Sequence, residues 1–135
     1  MTRFYDLDEA NATLLELEAI VTVLAEQRAE LVRWRDHALA RSSGSAGAEE
    51  PLSDDELRLL RLRMQGLVDQ MAAGVSRIDQ LGLTLRDIEA GLVDFPALVA
   101  GRQVWLCWRR GESSVDWWHE LDSGFGGRRL LAELT

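Results

Sequence analysis

The sequence predicts an α+β fold: a long antiparallel helical hairpin, coiled-coil-like, with a small C-terminal antiparallel β-meander packed on it. Two observations predict the helices. Apolar residues recur in alternating steps of three and four along residues 7–31 and 57–81, and a capping-box pair opens each run. A third predicts the sheet: beyond Gly82 the period falls to two, and short alternating runs are divided by glycine-containing dipeptides. At 135 residues, the chain is expected to form a single domain.

Helix one is expected over residues 7–41. Asp6 and Glu9 have the capping-box spacing, and Asp8 and Glu9 in the first turn suit the helix dipole. Its seam reads Leu7, Ala10, Leu14, Leu17, Val21, Leu24 and Leu31, broken by Arg28 and widened by Leu15, Ile20, Val32 and Leu39. Residues 42–52 read as a mobile linker of small residues ending in Pro51-Leu52. Helix two is expected over 53–81, with Ser53 and Glu56 as its capping box. Its seam is Leu57, Leu60, Met64, Leu67, Met71, Gly74, Ile78 and Leu81, and Gly82 is a natural stop. Gly74 on the seam implies close helix approach. Leu59, Leu62, Val68 and Val75 fall off that seam, and a second copy of the chain would cover such residues in a four-helix dimer.

The meander and a glycine-rich tail are expected over 83–131, with Leu83–Arg86 a short strand and 92–99, 103–110 and 113–121 the longer ones. A two-residue turn at Ala100-Gly101 pairs Val93 with Trp108, Asp94 with Cys107 and Phe95 with Leu106. A type II′ turn at Gly111-Glu112 would pair Trp105 with Trp118, Leu106 with Trp117 and Val104 with His119. On this register Val93, Phe95, Val104, Leu106, Trp108, Val115, Trp117 and His119 face the helices. Asp94, Trp105, Cys107, Asp116, Trp118 and Glu120 face outward. A slip of one residue would exchange a strand's faces.

Composition narrows the function. The net charge is −8, and acids outnumber arginines in residues 1–41, 42–81 and 82–135 alike. No segment has the basic footprint of a nucleic-acid binder, and an anionic membrane surface is disfavoured for the same reason. All fifteen basic residues are arginine, which excludes chemistry that needs a lysine. One cysteine, Cys107, cannot form an internal disulfide or a multi-cysteine zinc site. No signal peptide or membrane-spanning stretch is read, so a cytoplasmic location is expected.

The region 91–129 holds four of the five tryptophans together with Cys107 and His119. Phe4 and Glu9-Ala10-Asn11-Ala12 open the chain. Gly91-Leu92-Val93-Asp94-Phe95-Pro96, Leu106-Cys107-Trp108, Gly111-Glu112, Trp118-His119-Glu120, Gly124-Phe125 and Gly127-Arg128 close it. Through these blocks the whole chain resembles DUF2203, a bacterial domain family of unknown function. Glu16 and Arg129-Leu130 stand where many relatives have proline, outside the closing blocks. The resemblance implies no activity; it marks the closing blocks as the recurring part.

His119 is the foremost candidate for chemistry, as a metal ligand, a general base or a satisfied structural histidine. A metal would need companions such as Asp94, Glu112 or Glu120, and the expected register turns Asp94 and Glu120 away from it. No spaced histidine pair occurs, so no metal or cofactor is expected. Cys107, expected beside Asp94 and Asp116, would have its thiolate disfavoured. Ser113, Ser114 and Ser123 lack a nucleophile elbow. Trp105 and Trp118 form an expected outer-face pair, either a stabilising contact or a partner platform. The run Gly124–Arg129 reads as a flexible turn with solvated or structural arginines, or as a turn that binds a small anion, or Arg128 pairs with Glu112.

These readings favour a non-enzymatic binding or assembly module. It would self-associate as a homodimer through its helices and meet a protein or small anion through Asp94, Trp105, Glu112, Trp118, His119 and Arg128. The alternative is a small metal- or anion-dependent enzyme centred on His119, Glu112 and Arg128.

Overall fold

The computed structural model describes residues 3–42 and 50–133. Helix α1 spans Leu7–Ser42 and α2 spans Asp54–Gln80. Both capping boxes form. Asp6 Oδ1 accepts from the Glu9 amide at 2.7 Å, and the Asp6 amide donates back to Glu9 Oε1. Ser53 and Glu56 make the same exchange at the start of α2. At its other end, Gly82 takes a left-handed φ of 76°, and the Leu83 amide reaches back to Ile78 O, closing the helix. The expected linker falls mostly on residues 43–49, outside the described residues.

The two helices run antiparallel. Glu16 pairs with Arg77, Gln27 meets Gln70, and the Arg63 guanidinium lies over Trp34. At Gly74 the Leu24 side chain packs close against the α2 backbone: a Cβ there would lie 3.0 Å from Leu24 Cδ2. The seam is unevenly buried. Ala10, Leu17, Val21, Leu24 and Ile78 are buried where the hairpin meets the sheet; further out only Leu60 and Leu67 are. Leu15, Leu39, Leu59 and Leu62 remain exposed. Among the described residues no helix is long and apolar enough to cross a membrane.

The C-terminal part is a five-stranded antiparallel meander in the order β1-β2-β3-β4-β5: Thr84–Asp87, Leu92–Val99, Arg102–Arg109, Trp117–His119 and Arg129–Leu130. The β2–β3 register is the expected one, with Val93 opposite Trp108, Asp94 opposite Cys107 and Phe95 opposite Leu106. Its turn, Ala100-Gly101, has positive φ at both residues (52° and 77°), the type I′ geometry whose twist matches the flanking strands.

The β3–β4 register differs from expectation by one residue. Trp105 lies opposite His119, Leu106 opposite Trp118 and Cys107 opposite Trp117. The turn closes from Arg109 O to the Glu112 amide, so Gly111, with φ 97°, is its second central residue and not the first. That placement alone would move the register by two residues and keep the faces; the detour that follows it adds three and exchanges them. The chain then leaves the ladder through residues 113–116. The Val115 amide donates to Asn11 Oδ1 of α1 at 2.8 Å instead of pairing with β3. β4 therefore begins late and one step out of phase, and its faces exchange. Trp118, expected outside, packs in the core with 3 % exposure; Trp117 and His119, expected inside, lie on the opposite face.

The core lies between the hairpin and the inner face of the sheet, where Val93, Phe95, Val104, Leu106, Trp108, Val115 and Trp118 meet the helix seam. Tyr5 closes one end: its ring meets Phe95 edge-on, its amide donates to Pro96 O and its hydroxyl to Leu81 O.

Candidate functional site

Three adjacent strands bring Asp94, Cys107 and His119 together on the sheet face turned from the helices. Asp94 lies opposite Cys107, and the shifted β4 sets His119 beside them. The potential ligand atoms of all three lie within 4.8 Å of one another. All three residues are buried, so the site is part of the structure and not a chance surface cluster. The sequence-based separation of Asp94 from His119 is thereby reversed, because it rested on a register that the detour through residues 113–116 displaces.

His119 is held at both ring nitrogens. Nδ1 lies 2.8 Å from the Glu120 carbonyl oxygen, which only accepts, so Nδ1 carries a proton. Nε2 lies 3.0 Å from Asp94 Oδ2. A second proton must lie between that nitrogen and that oxygen, on one or the other. The pair therefore carries no net charge in either form. Arg86 Nε also donates to Asp94 Oδ2 at 2.8 Å, so the floor formed by Arg86, Asp94 and His119 is net positive by one.

Arg86 reaches Asp94 from the neighbouring strand β1, next to an irregularity in the β1–β2 ladder. Thr84 and Leu85 pair with Asp94 and Val93, but Asp87 pairs with Leu92, leaving Arg86 as the bulged residue. Its guanidinium lies 5.0 Å from the centre of the Trp105 ring. Only Nε is bonded; neither terminal amino group has a hydrogen-bond partner among the described residues. Arg86 was not among the sequence candidates, since an isolated arginine in a short strand carries no motif.

Asp94 Oδ1 is buried without a hydrogen-bond partner among the described residues. The Cys107 thiol is a neighbour of the Asp94 carboxylate: their potential ligand atoms lie within 4.8 Å, and a contact with Asp94 is among the causes that raise the thiol. Burial pushes the thiol up to about 12, with the Asp94 carboxylate adding to the rise. Cys107 is consequently a thiol and not a nucleophile near neutral pH.

A cleft of about 330 Å³ opens beside Asp94 and His119. Arg86, Leu92 and the segment Leu121–Phe125 form its walls. The grooves along the helical rod, such as the one walled by Trp34, Leu59 and Arg63, have no comparable buried polar cluster.

The remaining candidates sort differently. Glu112 and Arg128 pair with each other, through two hydrogen bonds of 2.9 and 3.1 Å. Glu112 Oε1 also accepts from the Arg109 amide at 2.7 Å, and Arg128 donates to Cys107 O. The Arg128 guanidinium lies against the Trp117 and Phe125 rings. This arrangement clamps the tail across the outer face, and no hydrogen bond or ion pair joins it to His119. The Glu120 carboxylate pairs with Arg102, while its carbonyl orients His119. Trp105 is half-buried beneath Arg86. Trp118 is on the opposite face, so the expected Trp105–Trp118 pair does not form.

A family model described as "Uncharacterized conserved protein (DUF2203)" matches residues 3–131, nearly the whole chain and all of the blocks that form this site. Neither a curated protein nor a solved structure matches.

Proposed function

The chain belongs to the DUF2203 family, whose description assigns no activity, and on that premise we propose a non-catalytic binding module. It takes a small anionic ligand in the cleft over Asp94 and His119, and self-associates through its helices. The observation that carries the ligand half is the floor of that cleft. Arg86, Asp94 and His119 together hold one net positive charge, set against the Asp122 carboxylate in the cleft wall, and Arg86 leaves both terminal amino groups without a partner among the described residues, free for a carboxylate- or phosphate-like group. Its stacking over Trp105 pre-orients the fork.

The same geometry supports the non-catalytic reading. Both nitrogens of His119 are engaged, so no lone pair is left for a general base. Ser114 donates to Asp116 and Ser123 to Glu120 O, and the Cys107 thiol is buried. Self-association is supported by the outer part of the rod, where leucines such as Leu59 at 69 % exposure and Leu62 at 63 % remain exposed.

Inorganic phosphate, titrated into protein kept in EDTA, tests the cleft. Phosphate is expected to raise the melting temperature in a concentration-dependent way and to perturb tryptophan fluorescence, with both effects lost in Arg86→Gln. An unshifted melting temperature at saturating phosphate, or a shift retained in Arg86→Gln, would refute the anion cleft. Light scattering tests the helices: about twice the chain mass is expected, falling to one chain in a Leu59→Glu, Leu62→Glu variant. A wild-type monomer would refute self-association.

A further inference from the structure

We propose that Asp94, Cys107 and His119 form a transition-metal site suited to zinc, next to the cleft that Asp94 and His119 line. Neither the family description nor the anion cleft requires it. The donor set is one imidazole nitrogen, one thiolate sulfur and one carboxylate oxygen, the mixture that zinc accepts with three protein ligands and an exchangeable fourth.

The surroundings of each donor match what a metal ligand needs. The Glu120 carbonyl takes the Nδ1 proton of His119, which fixes the tautomer that directs Nε2 inward. Arg86 holds Asp94 Oδ2 from the side and orients the carboxylate. Oδ1 is left buried with no hydrogen-bond partner among the described residues, an expensive state for a carboxylate oxygen and one that a cation relieves. The donors spread over 4.8 Å. Zinc bonds of about 2.0–2.3 Å imply donor separations of roughly 3.3–3.8 Å, so closure needs side-chain movements of about 1 Å.

The charge balance also closes. Entry of one divalent ion displaces two protons to solvent: the thiol proton of Cys107 and the proton shared by His119 and Asp94. Sulfur becomes thiolate, Nε2 exposes its lone pair, and Asp94 is a carboxylate that keeps its Arg86 contact. Two positive charges leave as two arrive, so the buried site keeps the same net charge with and without the ion, and no new uncompensated charge is buried.

The test uses the full chain, stripped with EDTA, and Co²⁺ alone as probe. One ion per chain is expected by native mass spectrometry, with a sulfur-to-cobalt charge-transfer band and the intense visible bands of a four-coordinate centre. Zinc should displace the cobalt and raise the melting temperature. Cys107→Ser should abolish the charge-transfer band, and Asp94→Asn should weaken Co²⁺ binding at least about tenfold. Wild-type protein that takes up no ion at micromolar concentration overturns the proposal, whether or not the variants fold. So does a Co²⁺ spectrum without the sulfur band, or a band that persists in Cys107→Ser. The phosphate titration in EDTA fails or succeeds separately, so loss of the metal centre and loss of the anion cleft are distinguishable.

Discussion

Trp105 lies opposite His119 across the β3–β4 ladder, with Cys107 opposite Trp117 two residues further along β3. This pairing sets His119 on the same face as Asp94, and the contact between them follows from it, with Nε2 and Oδ2 3.0 Å apart in a buried setting. Without that phase, the sheet would present an acid and a histidine on opposite sides.

Because the two side chains share a proton, each is expected to be costly to replace alone. In EDTA, Asp94→Asn and His119→Gln should each lose roughly 3–5 kcal/mol, the range for breaking a buried pair by removing one partner. The double variant should lose less than the sum, with a coupling energy above about 1 kcal/mol. Urea denaturation of the four proteins measures it. Additive losses would mean that the contact contributes nothing beyond the two separate burials.

The exchanged faces of β4 predict an order among the tryptophans. Trp118 is buried in the core beside Leu106, whereas Trp105 is half-buried under a guanidinium. Trp118→Ala should cost about 3–5 kcal/mol, the range for emptying a large core position, and Trp105→Ala clearly less. Equilibrium unfolding of the two variants gives the comparison. The reverse order would restore the register in which Trp117 and His119 face the helices.

Much of this architecture was legible because it depends on local signals. Asp6/Glu9 and Ser53/Glu56 start the helices where capping chemistry places them, Gly82 ends the second, and Ala100-Gly101 leaves little choice of turn. The alternation Val93, Phe95 against Val104, Leu106, Trp108 carries the β2–β3 register with it. The β4 phase was not legible, because a contact made by Asn11, far away in the chain, holds Val115 out of the ladder. Ser113–Asp116 read as strand by pattern alone, and nothing local marks the diversion. Arg86 was missed for a related reason, since only pairing with β2 reveals its bulge. Arg128 with Glu112 was expected as an alternative and does form, helped by the Gly-rich approach that lets the tail fold across the sheet.

Two glycines of α2 should respond to alanine with opposite signs. At Gly66 an added Cβ meets nothing within 4 Å, so the helix-propensity gain of about 1 kcal/mol should appear in full. At Gly74 it meets Leu24 Cδ2 at 3.0 Å and Cγ at 3.1 Å, and Leu24 is packed in the core. The branch point of a buried leucine cannot move aside as a side-chain tip would. Gly74→Ala is expected to destabilise by about 1–3 kcal/mol despite its better propensity. Thermal unfolding of the pair checks both signs, and stabilisation by both would show that the two helices are not held at their close approach.

Stability should fall on the alkaline side for a stated reason. Burial first, then the Asp94 carboxylate, raises the Cys107 thiol from 9.0 to about 12 in the folded chain. The folded protein thus keeps a proton that the unfolded chain releases above about pH 9. Wherever the unfolded state binds fewer protons, stability decreases with pH. The contribution is complete below pH 9 and is lost progressively between about 9 and 12, by at most about 1.4 kcal/mol per pH unit for this one group. Tyr5, also raised, chiefly by burial, adds a loss of the same sign beginning near pH 10. Urea midpoints of metal-free protein from pH 7 to pH 10.5 should decline, and the decline between 9 and 10 should be shallower in Cys107→Ala while Tyr5→Phe leaves that interval unchanged. An unaltered slope in Cys107→Ala would mean that the thiol ionises as readily in the fold as outside it.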